Sequence, residues 1–592
     1  DTDTPSLNSA LDFINPNSAQ PVLGGSIDNG TPVEYDLRGG VVQFGIAQGL
    51  DTSPTKAQML DPANYALSQA QQSRNLAENS EVAFRTDFTY FTDSIIPFIK
   101  SIDAGYRYND TSTLRDNNAT TRVNLTSSST EFDRPRASEF SNIIVPGSPN
   151  FNAADGRRLF VRDFLIVNPA LAYNNPQLVI DSINSAILAT TDDPSNPGEM
   201  LDALSRDNSA YFSISEKTEA LYLQANFETD ALRGNFGVRY INTELSSIGL
   251  LDDDSQRVEK SNYEFVLPRL NVVADLTDDV VLRAGLGRDI RRPNFNDLST
   301  STRFTSNANA AVEAGNPSLK PEDITSLDLG VEYYFAPSSV VTAGVFYKKR
   351  KDLHIPFTED PPGNVVDGVL NIDITAPCEG GGIFNPVADR NINNPIPGEG
   401  ICVPFQSIFN GNGDTTQKGL ELAFQYNLSE FEDDLGWASG FGIIANYTYQ
   451  EASSGDDFRN LNGRGKAILE ALGIPSEDAQ DRVELENLSK NSYNFTVFYE
   501  KYGLSARARY TWRSAYINSN DAFQFGLPRI NEARGQLNAS INYDIDEKFS
   551  VGLEGINITQ SDAPQSCMNE GGLNCFQGLT DRRILLGASY RY

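Results

Sequence analysis

From about Tyr211 to the end of the chain, apolar and polar side chains alternate one for one. In Gly419–Leu428, the residues Leu420, Leu422, Phe424, Tyr426 and Leu428 share one face. Glu421, Ala423, Gln425 and Asn427 share the other. In Asn491–Arg513 one face carries Tyr493, Phe495, Val497 and Tyr499, then Leu504, Ala506, Ala508, Tyr510 and Trp512. The opposite face of the second run carries Arg507, Arg509, Thr511 and Arg513. Side chains change face at each residue of a strand, so these segments predict strands with one apolar and one polar side.

Alternation also suits a soluble sandwich, but three features favour a membrane barrel. The strands run to about 10–12 residues, against a soluble mode of about 5–6. Aromatics gather near strand ends, as interface girdles do. Connections alternate between short and long: Thr277–Asp279, Ala336–Ser339, Glu500–Gly503, Asp546–Lys548 and the slightly longer Ser429–Ser439 against 246–260, 291–324, 351–416, 451–490, 514–533 and 559–581. Short turns on one rim and long loops on the other are the layout of an outer-membrane barrel. About 13 strands are expected from Tyr211 onward. Val41–Leu50, Glu81–Tyr90 and Lys100–Tyr108 add three, for roughly 16. The fold class is therefore all-β, a transmembrane antiparallel β-barrel with long extracellular loops. Residues 110–210 then form a large outer loop, with a helix over Gln177–Leu188 where Leu178, Ile180, Ile183 and Ile187 recur at helical spacing. Lys466–Leu472 is expected to form a second short helix.

Composition narrows the function. The 592 residues carry 47 Lys+Arg against 79 Asp+Glu, a net charge of −32, so no basic footprint for nucleic acid exists. One histidine excludes a His-rich metal centre. No run of about 20 apolar residues offers a membrane helix. The first residue is Asp1, with no charged-then-apolar leader, which suggests a processed chain or an internal piece of a longer one. The cysteines fall in two pairs, Cys378/Cys402 and Cys567/Cys575, without CxxC spacing. Each pair lies within one long connection, and two loop disulfides are favoured over free thiols or a four-cysteine metal site.

An ordered series of short segments resembles the barrel of TonB-dependent outer-membrane receptors: Gly234–Tyr240, Leu267–Asn271, Arg288–Asn294, Gly315–Pro321, Asp328–Phe335, Phe346–Lys349, Gly419–Leu422, Asn446–Tyr449 and Gly555–Asn557. Within it, Arg292, Pro293, Gly315, Asn316, Pro317 and Pro321 mark the signature, and Tyr592 supplies a terminal aromatic like the signal read by barrel-assembly machinery. A structural corner role suits the Arg-Pro and Gly-Asn-Pro residues, because Pro cannot donate to a sheet ladder and re-aims the chain at turns. The resemblance looks closest to the subgroup associated with carbohydrate uptake. It implies a bacterial outer-membrane location, surrounding outer-membrane lipid, a small nutrient ligand and an energy supply from the TonB–ExbB–ExbD complex acting through a plug. It also implies a barrel of about 22 strands. Neither a plug nor a TonB-contacting box is found in the sequence. The simplest expectation is a partial receptor barrel over 1–592, lacking the plug and the first few strands. A complete 16-stranded porin competes with it. The porin would pair the strand near Val41 with Arg583–Tyr592.

Candidate chemistry is sparse. His354 follows Phe346–Lys351 and reads as a solvated loop histidine rather than a metal ligand. Asp252–Asp254 and Asp456–Asp457 offer clustered oxygens for loop-bound Ca2+ but lack EF-hand spacing, so solvated acidic loops are favoured. Gly463–Lys466 lacks the spacing and preceding strand of a phosphate-binding loop. Phe295, Phe384, Phe405, Phe409, Tyr516 and Phe523 are candidates for stacking on a ligand, or for packing the loops on one another. No covalent chemistry and no cofactor is expected. The expected function is TonB-energised uptake of a nutrient, an oligosaccharide first, with a siderophore receptor or passive porin as alternatives. An outer-membrane hydrolase ranks third, since His354 has no clear Ser or Asp partner in sequence.

Overall fold

The computed structural model describes residues 2–18, 30–36, 43–92, 98–119, 123–124, 134–147, 163–190, 200–201, 203–206, 208–250, 255–302, 304, 311–359, 363–366, 369–372, 378, 381–385, 400–455, 469–471, 473–475, 485–522, 527–578 and 580–591. Among them one antiparallel sheet dominates. Fifteen of its strands form a ring of neighbours and are, in chain order, β1 (Tyr65–Phe91), β2 (Ile99–Ala119), β3 (Phe212–Glu228), β4 (Leu232–Leu250), β5 (Gln256–Asp275), β6 (Val280–Arg291), β7 (Glu322–Ala336), β8 (Ser339–Lys351), β9 (Thr415–Asn427), β10 (Phe441–Ser454), β11 (Asn491–Lys501), β12 (Leu504–Arg513), β13 (Arg534–Asp544), β14 (Phe549–Ile556) and β15 (Arg583–Tyr590). Thirteen of these lie downstream of Tyr211, as the alternation predicts.

Cross-strand registers confirm the face assignment. Leu422 lies opposite Ala343 and Tyr447, and Phe424 opposite Val341 and Ala445. Trp512 lies opposite Tyr493 and Gly535. Glu421 and Gly344 are paired on the other face, as are Arg507 and Phe498. Large apolar residues stand exposed on the outward face; Leu586 is 84% and Ile584 69% exposed. Contiguous apolar exposure on that scale suits a surface that meets lipid. Aromatics gather on it at both ends of the strands. Phe335 stacks on Phe424 and Tyr426 near the short turns. Tyr493 stacks on Trp512 towards the long connections.

Short turns behave as their chemistry requires. Tyr502 and Gly503 both have positive φ (56° and 74°), so β11 and β12 meet in a two-residue hairpin whose twist matches the strands. Asp546 Oδ1 accepts from the backbone N–H of Lys548 and Phe549 (both 2.8 Å) and closes the β13–β14 turn. Residue Arg591 donates its N–H to Lys548 O (2.8 Å), so β15 ends at this same rim.

Several expectations need correction. Of Val41–Leu50, the described residues 43–50 supply no strand of the large sheet; Gln43–Ile46 forms a small hairpin with Val33–Asp36. Among the described residues the ring of hydrogen-bonded neighbours therefore has fifteen strands rather than sixteen, with the twelve-residue Thr2–Phe13 paired beside β1 outside it. In the hydrogen-bonded order, β3 adjoins β2 and β15 lies between β14 and β1, so the order returns on itself. The porin pairing of Arg583–Tyr592 with the segment near Val41 is absent among the described residues. Fifteen is odd and the other neighbours are antiparallel, so β15 and β1 run the same way. The expected loop 246–260 is mostly strand: β4 and β5 stay paired as far as Leu250 and Gln256. Their outer ends continue the alternation, with Ile241, Thr243, Leu245 and Ser247 buried.

The chain divides into two compact units. One comprises residues 1–79, 113–212 and 252–254, the other 80–112, 213–251 and 255–592. In the first unit, Thr2–Phe13 pairs antiparallel with the first half of β1, from Thr2 opposite Ala77 to Phe13 opposite Tyr65. Tyr65, Leu67, Phe140, Ile143 and Leu165 form its core with one face of the helix Pro176–Thr190. The expected helix exists, but its buried face is Val179, Ile180, Ile183, Ala186 and Ile187, and Leu178 is exposed. Buried Arg134 donates to Asp12 Oδ2 (2.6 Å) and to Leu67 O (3.0 Å), tying the segments together. Residues 110–119 belong to β2, so the segment 110–210 begins inside a strand. Of Lys466–Leu472, Leu469–Ala471 is helical and the rest lies outside the described residues.

Candidate functional site

The inward face of the large sheet is a polar lining cross-linked by side chains. Arg283 holds Glu332 through two hydrogen bonds (2.6 and 3.1 Å). Arg269 holds Asp289 (2.6 and 2.7 Å), and Asn271 donates to Asn235 (2.9 Å). On the inward sides of β1, β2 and β3, Tyr222 donates to Asp87 (2.6 Å) and Asn226 to Asp103 (2.5 Å). The bidentate Arg283–Glu332 pair and the Arg269–Asp289 pair link neighbouring strands and fix their register.

Above this lining, the connections 291–324 and 351–416 dock on one another. Arg292-Pro293 ends β6, as a proline must. The Arg292 guanidinium reaches across two strands: Nε donates to Tyr263 Oη (3.0 Å) and lies 3.3 Å from Glu216 Oε1. Gly315 packs so tightly that a Cβ would lie 2.5 Å from Ser299 O, so glycine is required there. Asn316 caps the following turn, its Oδ1 accepting from Ser318 N (3.0 Å), and its Nδ2 donates to Ile408 O (3.1 Å). Pro317 sits in that turn, and Pro321 leads directly into β7. Val312–Glu313 pairs in parallel with Phe405–Asn410, which pairs antiparallel with His354–Glu359. The three form a small sheet.

One fully buried carboxylate organises this junction. Glu322 Oε1 accepts from Arg291 Nη2 (2.6 Å) and from His354 N (3.1 Å), while Oε2 has no hydrogen-bond partner among the described residues. His354 is 5% exposed at its side chain. Its Nε2 lies 2.8 Å from Lys320 O, a carbonyl that can only accept, so Nε2 carries hydrogen. The expectation of a solvated histidine is therefore corrected: the ring is buried where β7, the small sheet and the 291–324 connection converge. Asn410 completes the contact, donating to Lys320 O and Asp352 O (both 2.9 Å).

The five aromatic candidates among the described residues do not converge. Phe295 is half-buried in the short helix Phe295–Leu298. Phe384 packs against Gly400, next to the Cys378–Cys402 disulfide. Phe405 and Phe409 belong to the small sheet, where Phe409 meets Phe357 edge-on with ring centres 5.8 Å apart. Tyr516 lies under the Arg513 guanidinium, 3.7 Å from its ring centre, and Phe523 lies outside the described residues. Phe357, Glu322, Glu216, Tyr263 and Asn410 have no local sequence signal; only chain crossing brings them to the junction. Both expected disulfides are present, Cys378–Cys402 and Cys567–Cys575. Among the described residues no cluster of three or more His, Cys, Asp or Glu could hold a metal ion. Asp252–Asp254, Asp456–Asp457, Gly463–Lys466 and Tyr592 lie outside the described residues.

Comparison with known proteins gives the family. No curated protein matches the chain. Among solved structures, the ferric citrate transporter FecA is 12% identical with a TM-score of 0.48, covering 93% of this chain and 57% of its own. The siderophore receptor PiuA from Acinetobacter baumannii is also 12% identical with a TM-score of 0.48, covering 100% and 61%. The chain thus spans about three-fifths of the length of such structures. The family profile described as TonB dependent receptor-like, beta-barrel matches residues 17–558, and the chain belongs to that family.

Proposed function

We propose that this chain is the barrel of an outer-membrane receptor that takes up a small nutrient, an oligosaccharide, with energy from TonB–ExbB–ExbD. It binds and admits its ligand without covalent chemistry. The observation that carries the ligand class is the edge-on pair Phe357 and Phe409 on the small loop sheet, 52% and 40% exposed. Exposed aromatic faces held by a sheet are platforms for the apolar faces of sugar rings. The net charge of −32 also favours a neutral ligand over an anionic iron chelate, through the summed field at the entrance. The test is calorimetric titration of the full-length receptor with neutral oligosaccharides and with ferric siderophores. Sugar binding that falls about three- to tenfold in F357A or F409A supports the reading. Binding confined to ferric chelates overturns it. Uptake unaffected by loss of TonB would favour the passive porin.

A further inference from the structure

On the inward face, Arg269 and Arg283 each meet a carboxylate across a strand boundary. Arg239 of β4 does not. Directly across it on β5 stands Leu267. On the other side, Thr218 and Thr243 join through their hydroxyls (3.1 Å), and Gly237 packs against Gln224. That antiparallel register sets Tyr222 of β3 opposite Arg239. Its inward neighbours on β4 are Gly237 and Ile241, and the diagonal positions add Arg269 and no acid. The Arg239 Nε is buried and has no hydrogen-bond partner among the described residues. The permanent charges that bear on this guanidinium are those of Arg107, Arg292 and Arg85, all of its own sign.

Those three arginines are crowded as well. Ser80 meets Ser112 (2.7 Å) and Thr113 donates to Asn79 (2.9 Å), a register that sets Arg85 of β1 opposite Arg107 of β2. Like charges directly opposite one another destabilise a sheet. One acid tempers each of them: Asp87 lies 2.6 Å from Arg85, Glu81 3.8 Å from Arg107 and Glu216 3.3 Å from Arg292. Asp87 is also taken by Tyr222, and Asp103 nearby by Asn226, which leaves neither for Arg239. The side chains of Arg85 and Arg107 are 65% and 47% exposed, so a solute can reach the cluster. A native cation without an acceptor, among cations, calls for an anion from elsewhere. A guanidinium is a planar fork that matches the two oxygens of a carboxylate.

We propose that Arg239, ringed by Arg85, Arg107 and Arg292, is an inward-facing station for the carboxylate of an acidic sugar. The proposal rests on the oligosaccharide reading and narrows it: the ligand is neutral along most of its length and carries one uronate. The net negative field weighs against ligands of several negative charges, and one unpaired guanidinium matches one. The probes are a xylotriose bearing one glucuronate, a galactobiose ending in one galacturonate, and free glucuronate. Each is titrated calorimetrically onto the full-length receptor beside the same sugar with its carboxyl reduced to the alcohol. The acidic forms should bind about tenfold or more tighter than the reduced ones, a gap that narrows as salt is raised. R239Q should close the gap. R239K, which keeps the charge without the planar fork, should close part of it and gives the second measurement if R239Q folds poorly. F357A should weaken acidic and reduced oligosaccharides alike. Equal binding of acidic and reduced forms, or an undiminished gap in both Arg239 variants, overturns the proposal. If R239Q also lowers the melting temperature of the unliganded receptor while the gap persists, a carboxylate of the receptor itself is the occupant. Sugars that bind and respond to F357A without any gap refute the station alone, whereas binding confined to ferric chelates refutes the oligosaccharide reading beneath it.

Discussion

Glu322 is one of 79 acids, and nothing in its neighbourhood announces that it alone is buried between Arg291 and His354. The Arg292-Pro293 and Gly315-Asn316-Pro317 residues were legible because their roles are local: a strand stop, a close backbone approach and a turn cap. The burial of His354 is illegible in the sequence for the opposite reason. Its burial depends on Lys320 and Asn410, which lie far away in the chain and arrive only when the connections dock. The expected effect of Glu322→Ala follows from these contacts. It removes the acceptor of the His354 N–H and of Arg291, at about 1–3 kcal/mol for a buried group left unpaired. Limited proteolysis should then cut within 351–416 sooner than in the parent, with the rest of the barrel unchanged. Glu322→Gln, which keeps an acceptor oxygen, should cost less. Equal resistance of Glu322→Ala and parent would show that this carboxylate does not hold the connection.

Strands were the most legible elements, since a period of two needs only a polar side and an apolar side. The failures occurred where that condition lapses. Gln43–Ile46 alternates too briefly to span a membrane, and its partner is its own hairpin neighbour. The outer ends of β4 and β5 look like a loop by composition, rich in Ser, Asp and Glu, yet continuous pairing keeps them extended. In the helix Pro176–Thr190 the spacing finds Ile180, Ile183 and Ile187 but places Leu178 on the core face, where Val179 and Ala186 are buried instead. Two measurements belong here. Single fluorophores at Leu422, Phe424 and Trp512 should be quenched by brominated lipid, and those at Glu421, Arg507 and Arg509 should not; equal quenching would remove the membrane assignment. Cys378→Ser/Cys402→Ser should loosen 351–416 more than Cys567→Ser/Cys575→Ser loosens 559–581. The first closes a sequence separation of 24 and the second one of 8. Chain entropy gives roughly 2–4 kcal/mol for such links and more for the longer loop. The reverse order in protease sensitivity would argue against it.

The large sheet, taken as a whole, has a parity that no single segment reveals. An odd ring leaves β15 and β1 side by side and running the same way, unlike the other neighbouring pairs in it. An odd number of further strands between them would restore alternation throughout, as expected if these residues are part of a longer receptor barrel. Cysteine crosslinks between β15 and β1 should therefore fail in the full-length receptor in membranes, while β14–β15 crosslinks form. Efficient β15–β1 crosslinking there would favour the self-contained ring. The β4–β5 hairpin carries another consequence of scale. Its strands are 19 and 20 residues long, against about 9–11 needed to cross a bilayer, and pairing persists to the tip. Inserting one residue into such a ladder would turn every side chain beyond it to the wrong face. A change in the length of this hairpin is therefore expected to come as matched pairs of residues, or with a bulge that absorbs the odd one. Ligand preferences are free to drift by insertion in the other connections, while the height of this one side is inherited almost as a fixed dimension.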